Sequence, residues 1–181
     1  MAAESGAGMS GPSMKKTSVE AIIQSLNQRQ VQYLVVGGLA VVAHGYVRFT
    51  ADVDLVLSVD RENLVRAVAA LTVLDYRPRA PVKFEEFVDP ANRRKWASEK
   101  GMTVFSLFSP RHPATEIDLF LEPPVDFPSA YARALRQEIS TGIEAVFCSL
   151  EDLIGMKTAA GRARDLDDIS HLRQLGKPDA K

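Results

Sequence analysis

Val35-Val36-Gly37-Gly38-Leu39 leads, through Val41-Val42-Ala43-His44-Gly45, into Arg48-Phe49-Thr50-Ala51-Asp52-Val53-Asp54-Leu55, and this stretch decides how the chain is read. The apolar, β-branched run 31–36 reads as a buried strand that closes on a glycine pair. Residues 39–44 read as a brief helix stopping at Gly45, where glycine takes a left-handed cap without strain. Backbone N–H groups at such a strand-to-helix turn can cradle a phosphate, and the glycines let it approach closely. Residues 53–59 read as a second strand. Val53, Leu55 and Leu57 face one way on it, while Asp52, Asp54 and Val56 face the other. Two carboxylates pointing together raise each other's pKa unless something positive stands between them. A hard divalent cation is the natural partner, and Mg²⁺ takes one or two carboxylates together with substrate phosphates.

A third carboxylate, Asp118, lies in the apolar run 117–121 and completes the cluster from a neighbouring strand. The set matches a two-metal arrangement, in which one metal activates an attacking hydroxyl and both stabilise charge on a phosphoryl group.

Around this centre the remaining elements follow from caps and periodicity. Thr17-Ser18-Val19-Glu20 has capping-box spacing ahead of a helix that ends near 27–29. Asp60 caps a helix over 61–73, with Leu64, Val68 and Leu71 at helical spacing. Residues 77–100 carry three prolines and the charged run Asn92-Arg93-Arg94-Lys95, so they read as loop-rich. Runs 102–108 and 116–121, joined by Ser109-Pro110-Arg111-His112-Pro113, read as an antiparallel pair. Residues 129–137 are expected to be helical and 143–147 a short strand. Ser149-Leu150-Glu151-Asp152 opens a helix to about 160, and 165–175 forms the last one. The fold class is therefore α+β: a small mixed or antiparallel sheet flanked by helices, with a helical C-terminal portion over 149–175. A single domain over 17–175 is expected between a flexible leader, 1–16, and a tail, 176–181.

The 181 residues carry a net charge of −1, with 46% hydrophobic and 25% charged side chains. A domain of this size buries roughly 70% of the surface its unfolded chain exposes. The charge balance gives no global basic field to attract nucleic acid. The single cysteine, Cys148, forms no internal disulfide and reads as a small core residue. No run approaches the roughly 20 apolar residues of a membrane helix, and residues 1–16 have no apolar signal core. A cytoplasmic location is expected. His44, His112 and His171 show no metal-ligand spacing, and no P-loop, dinucleotide fingerprint or nucleophile elbow is present.

The glycine pair, then Arg48-x-Thr50-x-Asp52-x-Asp54, then a later strand aspartate resembles the nucleotidyltransferase superfamily that includes DNA polymerase β. Within it, the small bacterial branch of AbiE-type toxins is the nearest likeness. Ser149-Leu150-Glu151-Asp152-Leu153-Ile154-Gly155-Met156-Lys157, followed by Ala160-Gly161-Arg162 and Arg164-Asp165-x-x-Asp168, resembles that branch as well. The likeness covers about 31–175. It implies that Gly37 and Gly38 bind a triphosphate, that Asp52 and Asp54 hold Mg²⁺, and that Asp118 is the third ligand and a base. It further implies that Lys157 contacts phosphates, with Asp165 or Asp168 holding Lys157 or serving the site from behind. One departure stands out. The superfamily usually carries serine where Gly38 stands, and a second glycine keeps the N–H donors without that hydroxyl.

Read on their own, several of these residues have plainer alternatives. The resemblance places Arg48 and Thr50 among the nucleotide-binding residues; on their own, Arg48 is equally a salt-bridge partner for Asp52 or Asp54 and a substrate contact, and Thr50 has the plainer role of ordering the loop. Lys157 reads as a solvated lysine, Asp165 as an N-cap and Asp168 as a residue favoured by the helix dipole. Arg93-Arg94-Lys95-Trp96 reads as a charged loop with one anchoring tryptophan, or as a contact for RNA. The resemblance implies a Mg²⁺-dependent enzyme that moves an NMP from an NTP such as ATP to a hydroxyl on tRNA, a protein or a small molecule. Pyrophosphate is released, and a toxin role with a cognate antitoxin is implied. The other function class is a nucleotide-binding module of the same fold without turnover.

Overall fold

The computed structural model describes residues 16–175. The expected leader and tail therefore lie outside the described residues, apart from Lys16. The chain runs α1 (Lys16–Gln28), β1 (Tyr33–Val36), α2 (Gly37–Ala43), β2 (Asp52–Leu57), α3 (Arg61–Thr72), β3 (Arg77–Pro78) and a 3-10 helix (Phe84–Val88). It continues with α4 (Pro90–Lys100), β4 (Val104–Phe108), β5 (Glu116–Phe120), α5 (Phe127–Ala132), β6 (Leu135–Ser140), β7 (Ile143–Phe147), α6 (Leu150–Ala160) and α7 (Ala163–Leu175).

The strands form one seven-stranded mixed sheet in the order β3-β4-β5-β2-β1-β7-β6. The expected α+β class is correct, although the sheet is larger than expected. β2 sits at its centre, antiparallel to β1 and parallel to β5. Alternation along these strands sends Val53, Leu55, Ile117, Leu119 and Leu107 to one face, where each is 0% exposed. Ile22, Ile23 and Leu26 of α1 and Leu64 and Leu71 of α3 are buried with them in one continuous core.

Local chemistry explains most of the element boundaries. Asp60 accepts from Asn63 N and caps α3, and Ser149 accepts from Asp152 N and caps α6. α1 starts at Lys16, so Thr17 lies inside the helix rather than at its cap.

Two expectations are corrected. Residues 77–100 are not loop-rich. Asp89 accepts from Ala91 N with Pro90 in the first turn, so the apparent breakers start α4. Trp96 of that helix stacks on Phe105 at 5.0 Å, and Phe87 lies 5.2 Å from the same ring. Residues 129–137 are not one helix either. α5 begins earlier, on the Asp126 cap, and ends at Ala132. Leu135 onward is drawn into β6, which pairs with β7 from Leu135↔Phe147. The strand ladder overrides the local helical preference there. No described helix is long and apolar enough to cross a membrane.

Candidate active site

β1 ends on Val36, whose register partner in β2 is Asp54, so the chain leaving β1 passes directly in front of that carboxylate. A Cβ on Gly37 would lie 2.1 Å from Asp54 Oδ2, and Gly37 has φ +63°. Space and dihedral angle both demand glycine. A Cβ on Gly38 would lie 2.4 Å from Thr50 Oγ1 and 3.2 Å from Arg48 Nη1. The glycine pair is thus pressed against the residues that the sequence singles out on the other side of the turn.

The three aspartates come from the two central parallel strands. Their register sets Asp54 opposite Asp118 and Asp52 opposite Glu116, so these carboxylates share the face that Val53 and Leu55 avoid. Glu116 is engaged by Arg79, which holds its carboxyl below the usual range. Asp52, Asp54 and Asp118 have no salt-bridge partner among the described residues. Burial, then the charges of Asp118 and Asp52, push Asp54 up to about 6. Asp52 is raised by burial and by Asp118. Ser106, which faces Asp118 across the β4–β5 ladder, donates its hydroxyl to Asp118 Oδ1 at 2.5 Å.

Among the described residues, no three His, Cys, Asp or Glu side chains are gathered closely enough to hold an ion as they stand. The register aligns the three aspartates without closing them on one point. Their chemistry nonetheless fits a hard divalent cation: oxygen donors only, mutually repelling, with one carboxyl held up by burial and by its neighbours.

A second charged cluster backs the first. Asp168, 0% exposed, accepts from Arg48 Nε at 2.7 Å, from Arg48 Nη2 at 2.8 Å and from Lys157 Nζ at 2.7 Å. Asp165 accepts from Lys157 Nζ at 3.0 Å and from Arg162 Nε at 2.8 Å. Burial alone would raise both aspartates, but these hydrogen bonds hold them below the ordinary value. Arg48 therefore pairs with Asp168, not with Asp52 or Asp54. Lys157 is not solvated: it is buried and tied to both α7 aspartates. Asp165 lies in the first turn of α7 and accepts from Arg162 N, so its cap-like role coexists with the ion pairs. Four cations, Arg48, Lys157, Arg162 and Arg164, stand against five carboxylates in the combined cluster.

Gly37, Asp54, Asp118, Lys157 and Arg162 line one cleft of about 660 Å³, whose other wall carries Phe120, Val125 and Met156. A more apolar cavity of about 480 Å³ touches Arg48 and Thr50 but holds none of the three aspartates. The first cleft holds Asp54 and Asp118, while Asp52 and Gly38 line neither. Sequence reasoning gave no role to Ser106, Arg162 or this apolar wall. Strand alternation across from Asp118 was the signal available for Ser106; the wall comes from elements far apart in the chain and leaves none.

Other candidates resolve as structure. Arg93 is buried and donates to the carbonyls of Phe87 and Val88. Cys148 is 0% exposed, and burial pushes its thiol up to about 12. His44 follows α2 and its Nε2 bonds Cys148 O at 2.8 Å.

A family model described as nucleotidyltransferase of unknown function (DUF6036) matches residues 16–176. No curated protein matches the sequence significantly. Several solved structures share the fold. The lincomycin-bound lincosamide antibiotic adenylyltransferase LnuA matches at TM-score 0.60 and 14% identity, over 90% of this chain and 99% of that one. An antigenic nucleotidyltransferase-like protein from Paracoccidioides brasiliensis matches at TM-score 0.57 and 20% identity, over 90% and 77%. ANT(2")-Ia in complex with adenylyl-2"-tobramycin matches at TM-score 0.52 and 14% identity, over 89% of each chain.

Proposed function

The chain belongs to the family of nucleotidyltransferases of unknown function (DUF6036), and on that premise we propose that it transfers an NMP from an NTP to the hydroxyl of a small-molecule acceptor, with Asp52, Asp54 and Asp118 holding Mg²⁺. The observation that carries this reading is the register of Asp54 with Asp118 beside a glycine whose positive φ and close approach to Asp54 disfavour any side chain.

Asp52 and Asp54 would hold the ions, and Asp118 would be the third ligand. Bound there, Mg²⁺ neutralises phosphate charge and makes the attacking hydroxyl more acidic. Gly37 and Gly38 leave room for the triphosphate to lie against the backbone. Lys157, kept in place by Asp165 and Asp168, faces the same cleft and supplies positive charge to the phosphates. Asp118, oriented by Ser106, takes the acceptor proton as the acceptor oxygen bonds to the α-phosphorus. The bond to the β-phosphate oxygen breaks, and pyrophosphate leaves. Positioning and charge neutralisation supply most of the rate in such a displacement.

The cleft volume of about 660 Å³ and its apolar wall support a small acceptor, as do the bound lincomycin and the bound adenylyl-2"-tobramycin of the similar folds. The AbiE-type likeness, a toxin role and an antitoxin rest on the sequence motif. The test is incubation with each α-labelled NTP, Mg²⁺ and three acceptor pools: hydroxylated small molecules, tRNA and protein. Labelled small-molecule product with pyrophosphate release, both lost in Asp54→Asn, is expected. Label on tRNA or protein would move the acceptor class, and NTP binding without any product would favour the non-catalytic module.

A further inference from the structure

Where the parallel strands β2 and β5 run out, a further cleft of about 650 Å³ gathers three arginines, Arg61, Arg93 and Arg94, against one carboxylate, Glu122. The turn after β5 divides it from the cleft that holds Asp54 and Asp118: residues 121–123 line the first, and Pro124 and Val125 the second. Arg93 is only 6% exposed. Its Nη1 donates to the carbonyls of Phe87 and Val88 at 2.7 and 3.0 Å, and its guanidinium lies over the Phe87 ring at 5.7 Å. Among the described residues no ion pair reaches it and no hydrogen bond uses its Nε or Nη2, yet neither atom is sealed from solvent. Burial pulls the guanidinium below its ordinary pKa, opposed by Glu122 and Asp89 and aided by Arg94. A buried cation ordinarily has an anionic partner. Here the two donors left over belong to one edge of the guanidinium, the spacing that a phosphate or carboxylate accepts in a bidentate manner.

We infer that this cleft is a second ligand site, taking a small molecule whose phosphate or carboxylate group is received by the free edge of Arg93 and clamped by Arg61 and Arg94. Two helices start beside it, α3 at Arg61 and α4 at Pro90, so their positive dipole ends add to the attraction. A net charge of −1 supplies no extended basic field, and one of the three arginines is sunk below the surface, which favours a compact anion over nucleic acid. The site shares no lining residue with the aspartate cleft, and the inference is independent of nucleotidyl transfer.

The test is calorimetric titration at fixed ionic strength, without metal, using inorganic phosphate, glucose 6-phosphate, citrate and glucose as the uncharged control. The proteins are wild type, Arg61→Gln/Arg94→Gln and Arg93→Lys, each checked by its melting temperature. Wild type is expected to bind at least one of the anions and not glucose. The double variant alters only exposed side chains, so it is expected to melt as wild type does and to bind at least about tenfold more weakly. Arg93→Lys keeps the charge and loses the two-donor edge, and a similar weakening is expected; if it fails to fold, the double variant decides alone. Preference for glucose 6-phosphate over citrate identifies phosphate as the group received, and the reverse identifies carboxylate. No anion binding, affinity unchanged in a folded variant, or displacement of the anion by Mg·NTP overturns the inference. A single-stranded RNA that binds more tightly than every small anion, and is lost in the same variants, overturns the small-molecule assignment. Anion binding by a wild type that takes up no Mg·NTP leaves this inference standing and removes nucleotidyl transfer.

Discussion

Asp54 carries two opposed demands. Folding buries it beside Asp118, while the proposed metal binding requires the ionised form. With its pKa raised to about 6, the folded metal-free chain keeps a proton that the unfolded chain has already lost above the ordinary carboxylate value. The contribution of Asp54 to metal-free stability therefore falls as pH rises from about 4 to about 6, by up to about 3 kcal/mol. The lowered carboxyls of Asp165, Asp168 and Asp152 contribute in the opposite direction, and Asp54→Asn removes the falling component from melting curves. Stabilisation by Mg²⁺ runs the other way and strengthens as Asp54 ionises through that range. Gly37→Ala places a methyl group on Asp54 Oδ2 in a left-handed backbone. Chemical denaturation is expected to show a loss of about 1–3 kcal/mol, together with loss of Mg²⁺-dependent nucleotide binding. The aspartates and glycines were legible in the sequence because strand alternation and close approach leave local signs. The partner of Arg48 was not, because Asp168 meets it only through the tertiary fold, |i−j| = 120.

At the scale of elements, Asp168 of α7 joins α6 to the loop before β2 through Lys157 and Arg48. Asp168→Ala strands two cations in a site where the aspartate is fully buried. It is expected to destabilise by about 3–5 kcal/mol in denaturant titration. Asp168→Asn, which retains hydrogen-bond acceptance, is expected to lose less. α4 tests the opposite side of the sheet. Trp96→Ala removes the ring stacked on Phe105 and is expected to cost about 3–5 kcal/mol, with Mg·NTP binding retained because Phe105 faces away from Ser106 and Asp118. Two elements were hard to read from sequence for identifiable reasons. Three prolines and a charged run made 77–100 read as loop-rich, but Pro90, behind the Asp89 cap, forms the first turn of α4 and the charged run lies inside that helix. Residues 135–140 have helix-compatible composition, yet the unpaired edge of β7 recruits them as a strand.

Over the whole molecule, the sheet order converts separate motifs into one site. β2 lies between β1, which delivers the glycine pair, and β5, which delivers Asp118. The C-terminal helices then bring Lys157 to the same cleft. The near-neutral net charge of −1 hides this separation into an acidic centre and a cationic backing, which is why composition alone said little about the activity. The most direct measurement is the change in melting temperature with each NTP, with and without Mg²⁺, for wild type and Asp54→Asn. A rise that requires both nucleotide and metal and vanishes in Asp54→Asn is the predicted result. No rise with any nucleotide, or one that persists undiminished in Asp54→Asn, would contradict the assignment of these aspartates to a metal–nucleotide site.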